Sequence, residues 1–487
     1  MLNPKQLFNK LYKQTWDTIV MRTLKKSLLP LAVASVLATP LAVQAEDFGT
    51  ISANGALTTD YYFRGISQTL NDGAIQGGFD WAHDSGVYAG VWASNVDFGD
   101  DASLEVDTYI GFANDIGDSG FSYDVNALRY NYDDVNYDTN EYTISLSYSY
   151  FNVAYKYSDD WLGSDKSSNY VSLGFDYDLP ADFALSASVG NSFGDAYDKD
   201  KVDSERDFDY VDYKIGISKD HFGVNWDLSY VANDLSNKEC AAYVGGKSIC
   251  DDKVILTVSK SIDDVSKSSD SSELPITANV ALVTDYYYRG ISQTQNDSAI
   301  QGGFDYAHDS GLYAGVWASN IDFGDDASLE VDTYIGFAND IGDSGFSYDV
   351  NALRYNYDDA DYETNEYTIS LSYSYFNVAY KYSDDWYDTD ESSNYVSLGF
   401  DYDLPADFAL SASVGNSFGD AFDKKHMGTD TDFDYVDYKI GVSKDFVGVN
   451  FDLSYVGNDL SNKECTAYVG GKSVCDDKVI LTVSKGF

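Results

Sequence analysis

Ten charged positions of this 487-residue chain occur twice, 225 residues apart. Asp60, Arg64, Asp80, Glu105, Asp107, Lys156, Asp176, Asp212, Lys214 and Asp227 return as Asp285, Arg289, Asp305, Glu330, Asp332, Lys381, Asp401, Asp437, Lys439 and Asp452. Acids outnumber bases in the set. Charges gathered on one face either pair and stiffen the structure or, in excess of one sign, select ions of the other. Two cysteines per copy, Cys240 and Cys250 and then Cys465 and Cys475, stand ten apart. In an exported chain that pattern points to two local disulfides, each worth about 3 kcal/mol by loop closure. Thiolate metal ligation is the rival, but no second Cys or His pair lies close by in sequence.

Nucleophilic catalysis needs a nucleophile with a His base. The four His are His83, His221, His308 and His426; His221 becomes Phe446 in the second copy, and His426 corresponds to Lys201 of the first. No Ser–His arrangement repeats, so neither an enzyme such as a barrel lipase nor a cofactor is expected. Acid-rich stretches at 97–101, 385–391 and 430–437 offer oxygens of the kind Ca²⁺ takes, but none matches an EF-hand loop, and solvated loops are the expected reading.

The elements that must position these charges follow period two, not 3.6. Tyr142, Ile144, Leu146, Tyr148 and Tyr150 alternate with Thr143, Ser145, Ser147 and Ser149. Val171, Leu173, Phe175 and Tyr177 alternate with Ser172, Gly174 and Asp176 in the same way. Twelve such runs per copy are joined by short turns near 83–86, 115–120, 150–152, 179–182 and 220–223. These alternate with longer acidic loops at 68–73, 96–103, 133–140, 158–168, 194–206 and 233–252. Strands of this length, even in number, with short and long connections in alternation, predict an all-β fold: an antiparallel transmembrane β-barrel of about twelve strands per repeat, in two repeats. A soluble sandwich or propeller also has period-two strands, but not this alternation of loops. Tyr61, Tyr148, Tyr150, Tyr155, Tyr157 and Tyr177 fit aromatic girdles at the bilayer surfaces. If the apolar rows face lipid, parity turns the twenty charges inward. There they either fill and stiffen the barrel or form a cation-preferring constriction. One strand resists: Val125 and Ala127 share parity with Arg129, while Leu128, Tyr130 and Tyr132 share it with Asp124. A bulge near 126–129 would restore an apolar row.

The chain has 80 acidic and 31 basic residues, net −49. Residues 1–45 hold six of the bases and a single acid, so the remainder is more acidic still. Nucleic acid is therefore excluded as a partner. With 43 Tyr, 26 Phe and 7 Trp, the chain is too aromatic for disorder to be expected. Lys25 and Lys26, an apolar run at 28–38 and Val43-Gln44-Ala45 form a secretory leader, predicting a signal peptide over 1–45, with Met21 a candidate start. Residues 48–262 repeat as 273–487 without a gap. The expected division is a first barrel repeat over 46–260, a Ser- and Asp-rich linker over 261–275 and a second repeat over 276–487. Two tandem barrels are favoured over one barrel of 24 strands. Only the second copy ends on a Phe. That amphipathic strand closing on Phe487 resembles the signal read by the outer-membrane assembly machinery.

At Thr58-Thr59-Asp60-Tyr61-Tyr62-Phe63-Arg64-Gly65-Ile66-Ser67-Gln68 and Tyr88-Ala89-Gly90-Val91-Trp92-Ala93-Ser94-Asn95-Val96-Asp97-Phe98, and again at 283–293 and 313–323, the chain resembles the TorF family of porin-like proteins. The resemblance runs the length of each copy and departs from the family in the doubling. It implies a barrel in the Gram-negative outer membrane that contacts lipid and passes solutes, and it brings no functional residues with it. The expected activity is passive diffusion of small hydrophilic, cationic solutes. A non-conducting structural barrel, or a cation-binding or adhesive one, is the alternative.

Overall fold

The computed structural model describes residues 49–198, 208–243, 249–262, 276–360, 362–423, 433–469 and 474–487. The expected leader lies outside them, as do residues 263–275 of the expected linker. Ser261 and Ile262, assigned to that linker by composition, belong instead to the last strand of the first copy, opposite Asn54 and Ala53.

Each copy closes on itself as an antiparallel barrel of twelve strands. In the first, Thr50–Thr58 pairs with Lys253–Ile262, placing Thr58 opposite Thr257. In the second, Ile276–Val283 pairs with Lys478–Gly486, placing Val283 opposite Thr482. A single ring of 24 strands is thus ruled out: each first strand finds its partner within its own copy.

The barrel is oily outside and polar inside. Tyr142, Ile144 and Leu146 are 52 %, 56 % and 43 % exposed, while Glu141 on the opposite face of the same strand is 2 % exposed. That is the amphipathicity of a wall standing in lipid. Tyr148, Tyr150, Tyr155, Tyr157 and Tyr177 are exposed, as girdle residues should be. Tyr61 is not among them: it packs edge-on against Trp92, with centroids 5.6 Å apart, inside the wall. Two inward glycines show how tightly the lumen is filled. The ring of Tyr109 lies across Gly90 and that of Tyr170 across Gly190, so that a Cβ at either glycine would overlap the tyrosine.

The strand Phe121–Tyr132 has no bulge. Its pairing with Leu104–Asp115 runs unbroken from Ser122 opposite Asp115 to Tyr132 opposite Glu105. Leu128, Tyr130 and Tyr132 therefore face inward, and Arg129 faces out at the long-loop end, where it bonds Asp138 at 2.7 Å. Parity was right there. The inside of the barrel is simply not uniformly polar, because its long-loop end holds a dry cluster that includes Tyr130, Trp161, Tyr197, Phe208 and Tyr210.

The two barrels pack against each other through equivalent faces. Thr50–Thr58, Ala74–Ala82 and Val87–Asn95 meet Ile276–Val283, Ala299–Ala307 and Leu312–Asn320. The relation is nearly two-fold. Gly55 lies against Val280, its own counterpart, and a Cβ on Gly55 would stand 3.7 Å from the Cβ of Val280. Outward residues that would be lipid-exposed elsewhere are buried here: Ile75 1 %, Ala93 0 %, Ile300 0 % and Ala318 0 %. Small side chains let the walls approach, as they do between membrane helices. Phe487 joins this seam. Its amide donates to Ala278 O at 2.8 Å and its carbonyl accepts from Ala278 N at 2.6 Å, and Ile262 packs against the same cluster.

The contacts around Gly55 all come from the other barrel, so Gly55→Leu should leave each barrel closed and wedge the pair apart. A broadened inter-barrel distance distribution between spin labels on the turns at 83–86 and 308–311 would report this.

At the long-loop rim of the seam, burial and then the carboxylates of Asp359 and Asp358 push Asp72 up to about 6. Burial and then Asp134 and Asp133 push Asp297 up to about 7. Both carboxyls hold protons more tightly packed than unpacked, so packing is strongest in acid. It weakens as pH rises from the ordinary carboxylate range through 6 to 7. Asp72→Asn with Asp297→Asn should flatten that dependence, seen as a smaller change in spin-label distances than in wild type between about pH 4 and about pH 8.

Candidate functional site in the barrel lumens

Between Thr58 and Ala74 the chain leaves the wall. Tyr62–Phe63 pairs with Ile66–Ser67 as a small hairpin, Tyr62 opposite Ser67. Arg64 (φ 48°) and Gly65 (φ 76°) form its two-residue turn, both in the left-handed region that a tight hairpin requires. A Cβ on Gly65 would stand 2.9 Å from Ala232 O and 3.0 Å from the Cβ of Asp212, so the hairpin tip is pressed against the inner wall. The second copy repeats this with Arg289 and Gly290.

This corrects the expectation for Asp60 and Arg64, and for Asp285 and Arg289. Strand parity would set each pair on one inward face, four residues apart. The wall strand ends at Thr58, and the two side chains serve different partners. Arg64 pairs with Glu141, and Lys156 stands 3.3 Å from the same carboxylate. The Arg64 guanidinium also lies over three rings, 4.2 Å from the centroid of Tyr170, 4.8 Å from that of Phe63 and 4.9 Å from that of Trp161. Asp60 instead accepts from Lys253 Nζ at 3.0 Å and Ser67 Oγ at 2.6 Å. In the second copy Arg289 pairs with Glu366, Lys381 lies 3.0 Å from Glu366, and Asp285 takes Lys478 at 2.9 Å.

The remaining charges lie along the inner wall. Asp80 accepts from the Tyr109 hydroxyl, and Asp305 from that of Tyr334. Asp212 accepts from Tyr170 Oη at 3.2 Å, and Asp437 from Tyr395 Oη at 3.2 Å. Asp227 and Asp452 accept from Ser229 and Ser454. Lys439 stands 4.0 Å from Asp452, while Lys214 lines the same cavity as Asp227. Asp176 and Asp401 pair in register with Ser186 and Ser411 near the short-turn end, and Asp176 is exposed there. Glu105, Asp107, Glu330 and Asp332 are buried on the inner face of the wall.

Glu141, Glu366, Lys253 and Lys478 were missed by the sequence reading. The signal for Glu141 was present, since it shares parity with Thr143 and Ser145. The signal for Lys253 was its place on the strand that closes the ring.

Loops cover the hairpin from the long-loop side. Cys240, on the helix Asn237–Tyr243, is disulfide-bonded to Cys250, and Cys465 to Cys475. Ser67 N donates to Ile249 O at 2.8 Å, Tyr62 Oη to Asp251 O at 2.8 Å, and Asn233 Nδ2 reaches both Gly65 O and Cys250 O. Each disulfide thus braces the loop that holds the hairpin down. Below it, the first lumen keeps a cavity of about 410 Å³ lined by Asp60, Tyr61, Trp92, Asp107, Tyr130 and Asp227, among others.

A family model described as "Bacterial protein of unknown function (Gcw_chp)" matches residues 42–262 and again 267–487. The chain belongs to this family. It carries two copies of the Gcw_chp unit, one per barrel; the TorF name is not part of that description. No curated protein matches the sequence. Among solved structures, the P pilus usher PapC translocation pore is 10 % identical over 90 % of this chain and 99 % of its own, with a TM-score of 0.35. The KdgM porin is 6 % identical over 43 % of this chain and 99 % of its own, at 0.29. Pseudomonas aeruginosa OpdQ is 11 % identical over 91 % and 99 %, at 0.26. At scores this low these likenesses bear on nothing beyond themselves.

Glu141→Gln strands a buried guanidinium, a change that costs about 3–5 kcal/mol. Its barrel should unfold at lower guanidinium chloride, and Glu366→Gln should add a separate, similar loss in the other barrel. Replacing both Arg64 and Glu141 by Met and Leu should recover most of the first loss.

Proposed function

We propose that each Gcw_chp barrel is an outer-membrane channel for small hydrophilic, cationic solutes, held narrow at its long-loop mouth by the Arg64 or Arg289 hairpin. The observation that carries this reading is an apolar outer wall around an acid-rich, partly hollow lumen. A wall that exposes Ile144 and Leu146 belongs in hydrocarbon, and a lumen whose acids outnumber the bases paired with them suits water and cations inside it. The cavity of about 410 Å³ below the hairpin is large enough for a small metabolite. In this reading the barrels stand in the outer membrane with the long loops outside the cell.

Cation preference rests on the surplus of lumenal acid. Arg64 and Lys156 share Glu141, and Lys253 is held by Asp60, which leaves Glu105 and Asp107 without a basic partner within ion-pair distance among the described residues. A second reading, a non-conducting barrel, is favoured by the dry cluster of Ile66, Trp161, Tyr197 and Phe208 across the long-loop end.

Planar-bilayer recordings of the refolded chain decide between them. Wild type should conduct weakly, with reversal potentials in asymmetric KCl that favour K⁺. Arg64→Ala with Arg289→Ala, which frees both hairpins, should raise the conductance. Anion preference would overturn the assignment, and silence of both proteins would support the non-conducting barrel.

A further inference from the structure

Two carboxylates in each lumen, Glu105 with Asp107 and Glu330 with Asp332, form no ion pair among the described residues; Lys156 and Lys214 line the same cavity as Asp107, and Lys156 is engaged by Glu141. Glu105 and Asp107 are two residues apart on one strand, so they share its inner face. They are 1 % and 7 % exposed. Among the described residues, Glu105 Oε2 and Asp107 Oδ1 have no hydrogen-bond partner. The second copy reproduces the arrangement at 3 % and 0 % exposure, with Glu330 Oε2 and both oxygens of Asp332 unpartnered. Buried carboxylate oxygens left open are costly, and the same pair left open twice marks a place where a donor is missing.

The surroundings say what kind of donor fits. Asp107 opens into the cavity of about 410 Å³, with the rings of Trp92, Tyr61 and Tyr130 on its walls. Tyr61 and Trp92 meet edge to face at 5.6 Å, as Tyr286 and Trp317 do at 5.5 Å. Aromatic faces and carboxylates together recognise ammonium groups, the rings through their negative faces and the carboxylate through charged hydrogen bonds. No cluster of three or more acidic, His or Cys side chains suited to a metal ion occurs among the described residues, so a multiply liganded divalent ion does not suit the site. The cavity also exceeds what a bare monovalent ion fills.

We propose that the lumenal Glu105–Asp107 pair, and Glu330–Asp332 with it, binds the ammonium group of a small organic amine seated on the Trp92–Tyr61 wall. This deepens the reading of the lumen as a cation path by naming the class of cation. The occupant is a primary amine short enough for the cavity, with its charged end at Asp107 and its aliphatic part along the rings.

Calorimetry on the full chain in detergent, with 1,4-diaminobutane as the probe, tests it. Binding is expected, with none for the neutral isostere 1,4-butanediol and little competition from K⁺ at equal concentration. Asp107→Asn with Asp332→Asn should weaken binding about tenfold or more, since a hydrogen bond to a charged group is worth that much. Trp92→Leu with Trp317→Leu should weaken it less while leaving the carboxylates in place. Unchanged folding of each variant is checked by its heat-dependent migration on gels. Equal affinity in the Asn variant, equal binding of the diol, or full displacement by K⁺ would overturn the proposal, as would absence of binding to wild type, where Glu105 and Asp107 would then satisfy each other by sharing a proton. Binding by a protein silent in bilayers would keep the site and reject the channel.

Discussion

A strand that crosses hydrocarbon has no water to bond its amides, so every one of them must meet another strand. A closed ring is the only sheet that meets this condition without an edge. The pairings of Thr58 with Thr257 and of Val283 with Thr482 are where each ring shuts, and the rest follows from them. Once the ring is closed in lipid, charge has one place to go. Asp80, Glu105, Glu141, Asp212 and Asp227 all lie on the inner face because the outer face would cost each of them several kcal/mol.

That crowding explains the interior. Too many acids share too small a space, and each is handled differently. Glu141 is neutralised by Arg64 and Lys156, and Asp60 by Lys253. Asp80 and Asp212 are held by tyrosine hydroxyls. Arg64 reaches Glu141 only because its hairpin is bent into the lumen and its turn residues accept positive φ, a cost borne by the ion pair and three aromatic faces. The disulfide-braced loop above keeps it there. The lumen is therefore filled near its long-loop end and hollow beneath.

Duplication adds a second constraint. Two barrels on one chain sit at high effective concentration, and a face of small residues lets them bury apolar wall that would otherwise meet lipid. The seam is nearly two-fold, departing from symmetry where Gly55 corresponds to Val280 and Ile262 to Phe487. Gly55 leaves room for Val280 at their contact, where an added Cβ would stand 3.7 Å from that of Val280. The acids Asp72 and Asp297 at its rim oppose the same packing near neutral pH.

Period two, loop alternation and the exact repeat made the barrel, its strand count and the inward rows legible from sequence, because each is a local property of successive residues. Parity held even along Phe121–Tyr132, where apolar residues turn inward. What sequence could not show was the path of residues 59–73. Asp60-Tyr61-Tyr62-Phe63-Arg64 reads as more strand, and only Gly65 and the long gap before Ala74 hint at a turn. Nor could it show that Arg64 would meet Glu141, 77 positions away, or that Lys253 would meet Asp60, 193 away. Those meetings depend on which strands become neighbours across a closed ring. The hydrophobic pattern decides which way a side chain points; only closure of the sheet decides what it finds there.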